Sequence, residues 1–332
     1  MRALLLALAS LAVGCASVDR VDIDRVDAAR PLHTFSIVAR DPETGELGVA
    51  VQSHWFSVGT AVPWAEAGVG AVATQSFVNP AYGPDGLALM KQGVAAPDAL
   101  AQLVAKDPGE AVRQVAFVDS QGRVAAHTGK KCIAACGDHV GAGYSVQANM
   151  MENERVWPAM ARAYESAKGP LAERLLAALD AAQKEGGDIR GQQSAAILVV
   201  KAKSTGHVWE DRVVDLRVED SPHPIEELRR LYVAHAAYEH MNAGDLAVEK
   251  KDIPLAMKEY GKAAELQPEN LEMVFWSALT LATNERLDES VPLFQSVFAK
   301  EKRWVELLKR LPACELCTDA QLKAILEKCG VK

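Results

Sequence analysis

The order of elements along the chain predicts an α+β protein built as a layered αββα sandwich, followed by an all-α tail. Three observations carry this. Short strands are joined through turn residues into hairpins, which requires antiparallel pairing. Helices come in pairs between groups of strands, so each pair must cover a sheet face. A doubly wound parallel sheet needs single helices between successive strands, and that alternation is absent. With 332 residues, 49% of them apolar, the chain can bury one large core and a smaller one.

Residues 1–15 have a secretory layout: Arg2 supplies a positive charge, Ala3 to Val13 form a short apolar stretch, and Gly14 precedes Cys15. The string Ala12-Val13-Gly14-Cys15 is similar to a bacterial lipobox, with Ala12 where Leu is usual. Cys15 is therefore the expected lipidation site, and an ordinary cleaved signal is the alternative. A lipidated terminus holds a protein on a membrane without spanning it. The expected location is the cell envelope, facing the periplasm, on the outer membrane, since Ala16 gives no Asp-type retention signal. Residues 16–33 alternate Asp, Arg and Val and are expected to be a solvated tether, with a short edge strand as the alternative.

The domain is expected over 34–231. TFSIVAR (34–40) and LGVAVQ (47–52) flank the turn Asp41-Pro42-Glu43-Thr44-Gly45, giving a hairpin. VGAVATQS (69–76) is a strand whose small residues suit burial on both faces. Pro84 to Lys91 and Pro97 to Lys106 are helices with Pro in the first turn. Gln114 to Asp119 and Arg123 to His127 make a second hairpin around Ser120-Gln121-Gly122, and GYSVQAN (143–149) is a further strand. Arg155 to Ala167 and Leu171 to Lys184 are helices parted by Gly169-Pro170. SAAILVV (194–200) and VVDLRV (213–218) are the final strands.

The tail, 232–332, is helical and charged. Gly244, Ala256, Tyr260, Ala263 and Pro268 are similar in spacing to a tetratricopeptide repeat, and Ala278, Leu281, Phe294 and Val297 fall in equivalent places one repeat later. Such a tail is expected to bind a protein partner; two ordinary helical hairpins are the alternative. The net charge of −8 and the lack of a basic run argue against a nucleic-acid partner.

No G-x-S-x-G elbow, H-E-x-x-H or phosphate-binding glycine loop occurs. His33, His127 and His139 are scattered, so neither a metal nor another cofactor is expected. Cys132 and Cys136, and Cys314 and Cys317, are close enough for local disulfides, though buried free thiols fit equally. Polar residues do gather at strand ends: Gln52, Ser53 and His54; Gln75 and, just beyond, Asn79 and Tyr82; Gln147 and Asn149; Asp188, Gln192 and Ser194. Converging strand ends are where a pocket for a small amide or peptide ligand would form; taken singly, each residue is also ordinary turn or cap chemistry.

The strings TFSIVARDPETGELGVAVQS, VPWAEAGVGAVATQS, NPAYGPDGL, GYSVQAN, GGDIRGQQSAAILVV and DLRVED resemble the family known only as domain of unknown function 1028. The resemblance covers Thr34 to Leu231, about three-fifths of the chain. It implies the N-terminal-nucleophile hydrolase fold, a four-layer αββα sandwich, and only weakly a reaction. In that superfamily the nucleophile is the first residue of the mature domain and its own α-amine is the general base. Thr34 matches that role, which implies an amidase or peptidase activated by cleavage after His33. The Asp and Lys of proteasome-type members have no obvious counterparts; Gln52 and Ser53 stand near the first position. The competing expectation is a catalytically inactive ligand-binding or scaffold lipoprotein.

Overall fold

The computed structural model describes residues 34–331. The signal-like segment, Cys15 and the tether lie outside them. The expected α+β character is observed, with antiparallel sheets and a helical C-terminal region.

The six-stranded sheet has the order β10-β9-β2-β1-β8-β7. It contains β1 (Thr34–Arg40), β2 (Leu47–Ser53), β7 (Gly137–Gly141), β8 (Tyr144–Ala148), β9 (Ser194–Val200) and β10 (Arg212–Val218). The four-stranded sheet runs β3-β4-β5-β6, with β3 (Pro63–Glu66), β4 (Gly70–Ser76), β5 (Arg113–Asp119) and β6 (Val124–Thr128). Two of these strands go beyond the sequence expectation, for a physical reason. β3 is four residues long and opens on Pro63, tolerable at an edge where an absent N–H breaks no ladder. β7 is a half-exposed edge strand bounded by glycines, with no apolar alternation to announce it.

Side chains alternate across each strand, so one register fixes what every face meets. From β1, Phe35 and Ile37 point to one face and pack with α3 (Val156–Ser166) and α4 (Leu171–Lys184) through Val156, Met160, Leu175 and Leu179. From the other face, Val38 joins Leu47, Val49 and Val51 of β2 against Ala71, Ala73, Ala116 and Val118 of the four-stranded sheet. The small residues expected on β4 lie at this sheet-to-sheet contact, where alanines let the backbones approach. The outer face of β4 and β5 offers Val72, Val115 and Phe117 to α1 (Tyr82–Lys91) and α2 (Ala96–Val104).

The strand after the short α5 (Val208–Asp211) leads to α6 (Pro224–Glu249), one helix that runs through residue 231. Its first turns belong to the main core: Ile225 and Leu228 are buried there and Arg229 pairs with Asp180. Further along, His235 Nε2 is 2.9 Å from the carbonyl of Val213 on the edge strand β10. Beyond lie α7 (Ile253–Leu266), α8 (Leu271–Thr283), α9 (Leu287–Lys300), α10 (Arg303–Leu308) and α11 (Asp319–Cys329). Gly244 of α6 lies under the Tyr260 ring of α7, where a Cβ would come within 2.3 Å. Phe275, Ala278, Phe294 and Val297 fill a separate core between α8 and α9.

Candidate functional site

The register brings four polar residues into one row across adjacent strands at one end of the six-stranded sheet. Thr34 is opposite Ser53, and Ser53 is opposite Ser194. Asn149, just past β8, donates its N–H to the Thr34 carbonyl at 3.1 Å. The alternation that sends Val38 and Val51 to the facing sheet sends Thr34 and Ser53 the same way. Thr34 Oγ1 donates to Ser53 Oγ at 3.2 Å, and both residues are fully buried. Ser194 Oγ accepts from the Val58 N–H at 3.0 Å and donates to the Trp55 carbonyl.

The facing sheet supplies the other half. Gln75 of β4 accepts from Ser36 Oγ at 2.6 Å through Oε1. Its Nε2 donates to Gln114 Oε1 at 2.7 Å and to the Thr34 carbonyl at 3.2 Å. Gln147 Nε2 donates to Ser36 Oγ at 2.6 Å, and Asn149 Nδ2 donates to Gln114 Oε1 at 2.9 Å. Gln114 Nε2 donates to the Ala148 carbonyl at 2.9 Å and to Thr128 Oγ1 at 3.0 Å. Hydroxyls and carboxamides thus make up this inter-sheet layer. A formal charge enters at its margin, where Thr128 donates to Asp138.

Backbone strain gathers at the same end. Among the described residues, seven non-glycine residues have positive φ, and Ser57, Ser76, Ala135 and Met150 are four of them. All four sit on segments leaving β2, β4 or β8, or on the loop bonded to the last. Conformations of this kind cost about 1–3 kcal/mol each and concentrate at functional sites.

One cavity borders the row at His54 and Gln193, the neighbours of Ser53 and Ser194, and a second lies with α1 on the outer side of the four-stranded sheet. The first, of about 320 Å³, is lined by His54, Gln192, Gln193, Asp220 and Ser221. The loops beside it expose Phe56 and Ile189. The His54 backbone N–H donates to Asp188 Oδ2 at 3.2 Å, and buried Asp188 pairs with Arg190 at 2.7 Å. His54 Nδ1 is buried without a hydrogen-bond partner. The other cavity, of about 260 Å³, is lined by Asn79, Tyr82, Asp85, Lys106 and Asp107. Tyr82 donates to Asp107 Oδ2 at 3.1 Å, and burial, then the Asp107 charge, pushes its phenol well above the usual range. Burial works to raise Asp107, yet the Arg113 guanidinium and the Gly109 N–H together hold it below the ordinary carboxylate value.

Of the sequence candidates, Thr34, Ser53, Gln75, Asn149 and Ser194 meet in the inter-sheet row, His54 and Gln192 line the first cavity with Asp188 bonded behind His54, and Asn79 and Tyr82 line the second. Gln52 stands apart. It is opposite Phe35 in the register, so its side chain turns to the helix-covered face, away from Thr34. It is fully buried with neither amide atom hydrogen-bonded. Ser36 and Gln114 were not foreseen as site residues. The available signal was alternation: Ser36 is two residues from Thr34, hence on its face. Cys132 and Cys136 are free thiols on the loop beside Asn149, as are Cys314, Cys317 and Cys329 in the tail. Among the described residues no group of three or more His, Cys, Asp or Glu could hold a metal ion.

Residues 34–228 match a family of unknown function, DUF1028. A crystal structure of a Silicibacter pomeroyi protein, described with the same family, is similar to this chain at 33% identity and a TM-score of 0.54. The similarity covers 60% of this chain and 88% of that one. No curated protein matches the chain.

Proposed function

Since the chain belongs to the DUF1028 family, whose function is unknown, its chemistry must be argued from its own site, and we propose an amide hydrolase of the N-terminal-nucleophile type with Thr34 as nucleophile. The packing order of helices, sheet, sheet and helices is what the four-layer αββα sandwich of those hydrolases requires. The observation that carries the proposal is Thr34 at the head of β1, its hydroxyl on Ser53, inside a buried layer of neutral donors at the strained end of both sheets.

Cleavage of the His33–Thr34 bond would free the Thr34 α-amine, whose ordinary pKa near 8 leaves a usable neutral fraction at neutral pH. The amine takes the hydroxyl proton as Oγ1 attacks an amide carbonyl. Asn149 Nδ2, which donates to Gln114 Oε1 in the resting arrangement, would turn to the developing oxyanion; one such donor contributes about 3 kcal/mol. Collapse expels the amine leaving group, which takes the proton back, and water then hydrolyses the ester on Thr34. The cavity lined by His54, Gln192, Gln193 and Asp220 suits a small peptide-like amide.

The remaining assignments extend the same proposal. Residues 1–15 direct export, Cys15 carries the lipid and 16–33 form the tether of a precursor that faces the periplasm from the outer membrane, and cleavage after His33 releases the domain from that anchor. The tail from 232 acts as a tetratricopeptide-like protein-docking element. Among the described residues no helix is long and apolar enough to cross a membrane. A catalytically inactive, ligand-binding or scaffold lipoprotein is the second reading. Full burial of Thr34 within a well-bonded network favours it, because a structural threonine would look the same.

A β-lactone probe tests the nucleophile directly. Catalysis predicts an adduct on Thr34, located by peptide mass spectrometry, retained in Thr34→Ser and lost in Thr34→Ala. Full labelling of the folded Thr34→Ala protein elsewhere would assign the chemistry to another group.

A further inference from the structure

The strap 129–136 crosses from one sheet to the other at the Thr34 end of the sandwich. It starts at the four-stranded sheet, where the Gly129 N–H donates to the Arg113 carbonyl at 2.9 Å and the Lys131 N–H to the Ala111 carbonyl at 2.7 Å. It ends at the six-stranded sheet. There the Ile133 carbonyl accepts from the Met150 N–H at 3.2 Å, and the Ala135 carbonyl from the Met151 N–H at 3.1 Å. These two methionines directly follow Asn149, whose own N–H bonds the Thr34 carbonyl. Two free thiols ride on the strap, Cys132 buried and Cys136 half-buried. We infer that Cys132 and Cys136 form a redox switch: joined as a disulfide, they draw the strap away from Met150 and Met151 and loosen the Thr34 end of the polar row.

Cys136 Sγ already lies 3.7 Å from the Cys132 carbonyl oxygen, and Ala135, at φ +43°, bends the span between the two residues. Cys132 Sγ is turned instead to the Arg113 carbonyl at 3.3 Å. A disulfide brings its two Cα atoms to about 4.4–6.8 Å, so Cys132 must leave Arg113 and the span must tighten. That span carries the Ile133 and Ala135 carbonyls, which is how the bond reaches Met150 and Met151. Exchange with oxidised glutathione supplies the chemistry. Cys136, the more accessible thiol, loses its proton and attacks one glutathione sulfur; the glutathione S–S bond breaks and the first glutathione leaves as a thiolate that takes up a proton. Cys132 then attacks the Cys136 sulfur of the mixed disulfide, and the second glutathione leaves in the same way. The protein gives up two electrons and two protons, and the glutathione disulfide takes them. Burial raises both thiols, and the Glu154 and Asp138 charges raise Cys136 further, so the pair stays protonated at neutral pH and exchange quickens as pH rises.

The test uses Pro31–Lys332, which is a compact unit by itself, so that Cys15 takes no part. It is incubated with oxidised glutathione at about pH 8.5, the ordinary thiol pKa. Peptide mass spectrometry locates any bond, which keeps the tail thiols apart from those of the strap. The expectation is a strap peptide lighter by two hydrogens, with hydrogen exchange at Met150 and Met151 about tenfold faster and restored by reductant. Cys132→Ser, whose hydroxyl still reaches the Arg113 carbonyl, should stop at a mixed disulfide on Cys136 without the faster exchange. Failure of the strap bond to form, or a bond that leaves exchange at Met150 and Met151 unchanged, overturns the inference. An equal rise in Cys132→Ser also overturns it, since bound glutathione alone would then be the cause. None of these outcomes depends on Thr34 being a nucleophile.

Discussion

Replacing Gln75 by Met should loosen the two sheets by a calculable amount. Gln75 makes two short hydrogen bonds, 2.6 Å from Ser36 Oγ and 2.7 Å to Gln114 Oε1, and two longer ones, 3.2 Å to the Thr34 carbonyl and 3.4 Å to the Gln147 carbonyl. Three of these partners retain a second contact: Ser36 from Gln147, Gln114 from Asn149, and the Thr34 carbonyl from the Asn149 N–H. The full penalty for orphaning a buried group is therefore avoided, and the loss is about 1 kcal/mol for each short bond, ~2 kcal/mol together. For a domain of this size, that lowers Tm by roughly 4–8 °C. Gln52→Met is the paired control. Its amide is buried with no partner, so its removal relieves an uncompensated desolvation of about 1–3 kcal/mol, and Tm should hold or rise. Thermal unfolding of the full chain followed by circular dichroism reads both. A fall below about 2 °C for Gln75→Met, or equal falls for both variants, refutes the bonding scheme.

Ending the chain after Ala236 keeps Ile225, Leu228 and His235, and should leave one cooperative transition in calorimetry. Ending it at His223 strips two buried core side chains and should cost at least ~3 kcal/mol. The lowered pKa of Asp107 means its ionised form is favoured by folding. Its contribution is present above the unfolded carboxylate value near 3.9 and is lost as pH falls through the lower folded value. Asp107→Asn should thus be less stable than wild type at pH 7, with the gap in Tm closing in acid. With free thiols throughout, labelling of the protein from Pro31 onward in denaturant without reductant should count five. A count of three would reveal a local bond such as Cys132–Cys136, contributing ~2 kcal/mol or less across so short a loop.

Much of the fold was legible because its signals are local. The turn at Asp41 to Gly45, the paired helices around Gly169-Pro170 and the run Ser194 to Val200 each announce an element within a few residues. β3 and β7 were not, since a four-residue edge strand opening on Pro63 and a glycine-bounded one carry no periodicity. The site was legible as a gathering of polar strand ends; Ser36 was not foreseen, although period-two alternation puts it on the face of Thr34. What no local pattern holds is which sheet faces which. That is why Gln114 as the partner of Gln75 and Asn149, and the departure of Gln52 to the opposite face, emerge only with the register. The boundary at 231 is similarly blurred, because helical periodicity continues through α6 while its neighbours change from β10 and α4 to α7.

The state of the mature N-terminus bears most directly on Thr34. Intact-mass measurement of the protein purified from its own envelope should find a population beginning at Thr34, absent from the Thr34→Ala variant. Protein that retains residues 16–33 throughout, together with every measurable activity, would contradict a Thr34 nucleophile and leave the polar row as a binding or structural element.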